Sequence, residues 1–152
     1  MLNIVLFEPE IPDNAGNVGR TCVALGAKLW LVRPLGFRLD DRHLQRAGLD
    51  YWEHLDWEVV DDWAALVQCL PKTRPWLFTK TASKLYTEAQ YGPDDVLVFG
   101  SESRGLPAAL LADNPDRCLR IPMHQQARSL NLAVSVGIAA YEAMRQVTNG
   151  KS

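Results

Sequence analysis

The sequence predicts an α/β domain, a mostly parallel sheet with flanking helices. Three observations carry that reading. Short apolar runs alternate with helix-length stretches along the whole chain. The runs are nearly continuous rather than alternating, as in strands buried on both faces. Glycine- and proline-bearing polar segments follow several of them, where loops leave strand ends. The length of 152 residues suits a single domain spanning 1–152.

Asn3–Phe7 reads as the first strand. Glu8–Gly16 holds two prolines and reads as a loop, with Asn17–Leu25 a helix stopped by Gly26. Lys28–Val32 is the second strand, Pro34–Gly36 a turn and Asp40–Ala47 a short helix. Trp57–Val60 is a weak strand, followed by a helix over Trp63–Leu70. Pro71 and Pro75 bracket a break before a strand at Trp76–Thr79. Val96–Phe99 is the clearest buried strand and runs into Gly100. Pro107–Ala112 is a short helix with proline at its start, Cys118–Ile121 the last strand and Asn131–Val147 the last helix. The order is β-α-β-α-β-α-β-β-α-β-α, and ligands of such sheets sit at the carboxyl ends of the strands.

Composition narrows the function classes. Apolar residues are 47% and charged residues 22%, ordinary globular values. Sixteen Lys and Arg against 18 Asp and Glu give a net charge of −2, which excludes a nucleic-acid binder basic in bulk but not a local patch. No apolar run reaches the ~18 residues of a membrane span, and the start has no signal-peptide pattern, so a cytoplasmic protein is expected. The three cysteines have no CxxC spacing and read as small core residues of a reducing compartment. The three histidines have no metal-ligand spacing, so no metal is expected.

Four loops after strand ends carry the chemistry. The first is Asn14-Ala-Gly-Asn-Val-Gly-Arg20, whose glycines have the wrong interval and place for a dinucleotide fingerprint. Asn14 or Asn17 can cap the helix, while Arg20, read as one turn in, opposes the macrodipole and suggests a ligand anion. The second is Gly100-Ser-Glu-Ser-Arg-Gly-Leu-Pro107, where Gly100 permits close approach and Glu102 can pair with Arg104 across the loop. The third is Ile121-Pro-Met123, and the fourth Arg128-Ser-Leu-Asn131, where Ser129 or Asn131 can cap the last helix. There is no GxSxG, no identifiable Cys–His pair and no paired carboxylates. Glycines, prolines, backbone groups and an arginine suit a transfer reaction that works by positioning.

Asn14-x-Gly-Asn-x-x-Arg20, Phe99-Gly-Ser-Glu-Ser-Arg-Gly-Leu-Pro107 and Ile121-Pro-Met…Arg128-Ser-Leu-Asn-Leu-Ala133 resemble the three motifs of the SPOUT RNA 2′-O-methyltransferases. The opening Met1–Pro12 and Arg46-Ala-Gly-Leu-Asp-Tyr51 are similar to the TrmL (YibK) branch, and the resemblance covers nearly the whole chain. It implies methylation of the ribose of the tRNA wobble nucleotide (cytidine or uridine 34), with S-adenosyl-L-methionine as donor. It also implies a C-terminal trefoil knot and a homodimer. The implied cofactor contacts are Phe78, Gly100, Ile121, Ser129 and Leu130, and the implied catalytic residue is Arg20. Ser101 and Ser103 stand where the branch commonly has Pro and Thr.

A guanidinium is effectively always protonated, so Arg20 is expected to grip the substrate phosphate rather than act as base. The base is left open among the phosphate, a water and a perturbed arginine. RNA contacts are expected from Asn17, Arg42, Arg46, Arg104 and Arg128, with Arg33, Arg38, Lys80 and Lys84 as further patch members. A ribosomal RNA ribose methyltransferase and a non-catalytic RNA-binding or ribosome-assembly protein are the alternatives on the same fold. The last helix speaks without the family. At about 100° per residue, Leu132, Val136, Ala139, Ala143 and Val147 form one apolar stripe, and Val134, Ile138 and Tyr141 fall roughly opposite. Two apolar faces need two covers, and a second subunit can supply one.

Overall fold

The computed structural model describes residues 1–44, 46 and 52–149. Six strands form one sheet: β1 (Asn3–Phe7), β2 (Lys28–Val32), β3 (Trp57–Val60), β4 (Trp76–Phe78), β5 (Val96–Phe99) and β6 (Cys118–Leu119). The helices α1 (Pro12–Leu25), α2 (Trp63–Cys69), α3 (Ala108–Asp113) and α4 (Leu132–Asn149) accompany them among the described residues. The sheet order is β3-β2-β1-β5-β4-β6, and every strand pair is parallel. The fold class is therefore the expected one. Of the helix expected over 40–47, residues 42–44 and 46 are helical; the rest of its second half, and Ala47 to Tyr51 of the branch motif, lie outside the described residues.

The continuous apolar runs follow from burial on both sheet faces. On one face Ile4, Leu6, Leu29, Leu31 and Leu97 pack with Val18 and Cys22 of α1 and Val136 and Ala139 of α4. On the other, Val5, Trp30, Val32 and Val98 pack with Leu66 of α2. Neighbouring residues of one strand thus serve opposite cores, and on the central strands polar residues stand only at the first positions, Asn3 of β1 and Lys28 of β2.

Helix boundaries depart from the sequence reading at α1. The helix starts at Pro12, with proline at its first turn, not at Asn17. Proline there loses no hydrogen bond and has its φ preset, so it initiates the helix instead of breaking it. The loop shrinks to four residues, Glu8–Ile11. Gly26 ends α1 as expected, left-handed at φ 68°, with Ala27 N–H donating to Cys22 O at 2.8 Å. The cysteine expectation holds only in part. Cys22 is buried, and burial pushes its thiol up to about 12, but Cys69 is exposed and Cys118 half-buried. Both stand at the ends of their elements, Cys69 closing α2 and Cys118 opening β6.

Asp62 caps α2, its Oδ1 accepting from Ala65 N–H at 2.9 Å. Asp62→Ala should lower unfolding stability by about 1 kcal/mol. Urea denaturation followed by circular dichroism checks this; an unchanged midpoint would show that the cap contributes nothing.

Candidate active site

A cavity of about 660 Å³ opens at the carboxyl ends of β4 and β5, beyond which the chain from β6 closes one side. Its inner wall is apolar. Phe78 and Phe99, adjacent in register on β4 and β5, stack with centroids 4.6 Å apart and planes 12° apart. Ile121 and Leu106 extend this wall, and Ser129, Leu130 and Asn131 form the facing rim. All five expected cofactor residues, Phe78, Gly100, Ile121, Ser129 and Leu130, therefore line one cavity, as does Arg104. An apolar slot with a few polar groups at its mouth fits a nucleoside-sized ligand carrying a charged tail.

The expected pair of Glu102 and Arg104 does not form. Glu102 instead accepts from the Glu10 and Ile11 backbone N–H groups at 2.8 and 2.9 Å and from Asn14 Nδ2 at 3.1 Å. It supplies the cap that the Ile11 side chain cannot provide, a carboxylate against the positive end of the α1 dipole. Arg104 turns the other way and lies 3.6 Å from Glu8. Neighbouring Glu10 accepts from Ser103 N–H and Oγ at 2.9 and 2.6 Å, bonds that hold its carboxyl below the usual range. Asn14 continues the network, accepting from Asn131 Nδ2 at 3.1 Å, while Asn131 Oδ1 caps α4 by accepting from Val134 N–H at 3.2 Å. One polar chain, Asn131–Asn14–Glu102, thus ties the first, second and fourth loops together. Its two links span 88 and 117 residues, and no local sequence signal encodes them.

Two glycines have physical reasons. A Cβ at Gly100 would fall inside 3.0 Å of the Gly105 carbonyl carbon and the Leu106 amide nitrogen. Gly100 therefore makes room for its own loop, whose Gly105 N–H returns to Ser101 O at 2.9 Å, and not directly for a ligand. Gly19 lies flat against the Trp52 indole, where a Cβ would meet Nε1 at 2.5 Å.

The remaining expected residues stand apart from the cavity wall. With α1 starting at Pro12, Arg20 is two turns into the helix, not one, and the macrodipole argument no longer applies to it. It is exposed, as are Asn17, Arg42, Arg46 and Arg128. Among the described residues no cluster of three or more His, Cys, Asp or Glu side chains could hold a metal ion, and no helix is long and apolar enough to cross a membrane.

Residues 1–141 match the SpoU rRNA Methylase family. The chain belongs to the SpoU methylase family. A relative from Saccharophagus degradans, named tRNA (cytidine(34)-2'-O)-methyltransferase, is 45% identical over 148 residues, covering 97% of this chain and 96% of its own. A solved structure described as giving insights into the 2-OH methylation of C/U34 on tRNA is 53% identical, with a TM-score of 0.93 over 98% of this chain and 97% of that one. The AdoMet-bound rRNA methyltransferase of Sinorhizobium meliloti is 26% identical, with a TM-score of 0.84, covering 95% of this chain and 56% of that one. The SpoU methylase frame explains why the glycine-, proline- and serine-bearing loops converge on a single cavity: they are the three motifs of the resemblance.

Proposed function

We propose that this SpoU methylase transfers a methyl group from S-adenosyl-L-methionine to the 2′-hydroxyl of the ribose at tRNA position 34, cytidine or uridine. The observation that carries the reading is the convergence of Phe78, Gly100, Ile121, Ser129 and Leu130 on one apolar-walled cavity, in a chain matched end to end by the tRNA enzymes. The cofactor, when bound, supplies a methyl on a positively charged sulfur, electrophilic without a metal. The chain's own work is positional. The stacked Phe78 and Phe99 offer an apolar wall for a flat base, with Ile121 beside them. Gly100 and the Glu102 cap fix the loop that closes the slot. Arg20 grips the phosphate next to the target ribose with two parallel N–H donors and so aims the 2′-oxygen. Its proton passes to a group other than this guanidinium, which stays charged.

Asn17, Arg42, Arg46, Arg104 and Arg128 belong to the same proposal as contacts to the anticodon loop. All five are exposed, and single-stranded loops are the usual target of RNA readers. The trefoil knot belongs to it too. What supports it is that the chain leaving β6 is bonded to the segment after β4: Arg120 N–H donates to Lys84 O at 2.8 Å, and Arg120 Nε to Ala82 O at 3.0 Å. It then returns across the sheet to Asn14. Site of action in the cytoplasm follows from the substrate.

The test is digestion of tRNA after incubation with enzyme and donor, then mass spectrometry of the nucleosides. A 2′-O-methylated nucleotide at position 34 is expected. A mark only elsewhere, or only in ribosomal RNA, would replace the substrate, and no mark with intact RNA binding would favour a non-catalytic role.

The working unit we propose is a homodimer through α4. Leu132, Val136, Ala139 and Ala143 are buried within this chain, as the helical wheel anticipates. On the other face Val134 and Tyr141 are 48% and 53% exposed. Sedimentation equilibrium at micromolar concentration should give twice the 17.0 kDa chain mass. Val134→Lys with Tyr141→Lys should shift it to the monomer, since each buried charge lacks a partner. A parent that is active as a monomer would remove the dimer.

A further inference from the structure

Three charged side chains line the cavity, Lys80, Glu102 and Arg104, and two are already committed. The Glu102 carboxylate is filled by three donors at the start of α1. Arg104 is drawn to Glu8, 3.6 Å away. Lys80 differs. It follows Thr79 in the turn that leaves β4, where Ala82 N–H returns to Thr79 O at 3.3 Å and the Thr79 and Thr81 hydroxyls bond at 2.9 Å. That turn places Lys80 two residues beyond Phe78, at the cavity mouth. From there Nζ reaches across to the backbone carbonyl of Arg128, a long contact of 3.4 Å, next to Ser129 and Leu130 on the opposite rim.

An ammonium has three donors and seeks acceptors. Here it spans the two loops that form the slot, and its acceptor is a neutral carbonyl at the edge of hydrogen-bond range. The proposed cofactor brings an α-carboxylate on the tail of its nucleoside. With the base against Phe78 and Phe99, the tail lies toward the open, polar end, and the cavity must offer a cation there. We infer that Lys80 is the carboxylate-binding residue of the cofactor site, exchanging the Arg128 carbonyl for the amino-acid carboxylate of the bound donor. This rests on the cofactor reading above and adds to it a residue that sequence grouped with the RNA patch. The geometry favours a carboxylate in the slot over an RNA phosphate, because the ammonium points between the slot's own walls.

The experiment is isothermal titration of the full chain, without RNA, using two probes. S-adenosylhomocysteine carries the amino-acid tail; 5′-methylthioadenosine has the same base and sugar but no carboxylate. Lys80→Met should weaken S-adenosylhomocysteine by about tenfold or more, the scale of a charge-assisted bond, and leave methylthioadenosine within about twofold. Lys80→Arg should restore most of the loss. Lys80 is exposed, so both variants should keep the parental melting temperature. Three results overturn the inference: an unchanged affinity for S-adenosylhomocysteine, an equal loss for both probes, or, in a parallel methylation assay, a change confined to the KM for tRNA and its salt dependence. The last assigns Lys80 to a phosphate instead. If the parent binds neither probe, the cofactor reading itself falls, which is a different failure from a variant that leaves both affinities intact.

Discussion

Arg20→Ala should abolish nearly all methyl transfer while leaving the fold and the cofactor affinity in place. The side chain is exposed on α1, and the buried face of that helix is formed by Asn14, Ala15, Val18, Gly19 and Cys22. Removing it should change unfolding stability by less than about 0.5 kcal/mol, as for most surface substitutions. The loss falls on the transition state. A bidentate guanidinium–phosphate contact that aims the attacking oxygen is worth about 2–4 kcal/mol, or roughly 30- to 1,000-fold in rate. Arg20→Lys should recover little, because one ammonium does not reproduce the planar fork. Single-turnover methylation with saturating donor measures the effect. An alanine variant that keeps half the parental turnover takes Arg20 out of the mechanism.

Gly100→Val should be the most damaging substitution in the cavity, through a route that a ligand-only argument misses. The new side chain runs into the Gly105–Leu106 backbone, which has no rotamer to yield. The loop from Ser101 to Gly105 must move, and with it Glu102 and its bonds to the start of α1. Overpacking of this kind costs about 1–3 kcal/mol, and losing the bonds of the half-buried Glu102 carboxylate adds to it. Denaturant unfolding should show the loss, and donor binding should fall well beyond tenfold. Gly100→Ala separates space from bulk: its Cβ alone meets the same atoms, so it should already destabilise. An alanine variant with parental stability and affinity would show that the loop yields freely.

The strands were legible because burial on two faces leaves an unmistakable apolar run. Asn3–Phe7, Lys28–Val32 and Val96–Phe99 appear with the boundaries the sequence suggests, and so does the weaker run Trp57–Val60, an edge strand whose first half is exposed. The start of α1 was mistaken because proline both breaks and initiates helices, and which it does depends on the residues around it. Asp13 in the first turn was the available sign that Pro12 initiates. The cavity walls were legible by motif, one residue at a time. The partner of Glu102 was not, since Arg104 is two residues off and the true donors lie 88 to 92 residues away. The place of Lys80 was hidden for the same reason: its acceptor is 48 residues on, in a different loop. Cys69 and Cys118 show a further limit. Apolar neighbours in sequence say little about which way a small side chain faces at the end of a short element.

The polar chain from Asn131 through Asn14 to Glu102 sets a clock on the molecule. Synthesis is vectorial, and Asn14 leaves the ribosome long before Asn131 is made. Until α4 docks, Asn14 has one partner fewer, Leu132 to Ala143 have no core to fill, and the rim at Ser129 and Leu130 has no anchor. A nascent or C-terminally truncated chain can thus pair its early strands and still lack one anchored rim of the cavity. The anchored rim arrives only with the final helix, so a half-made chain presents the apolar wall of Phe78 and Phe99 without the fixed loop that faces it.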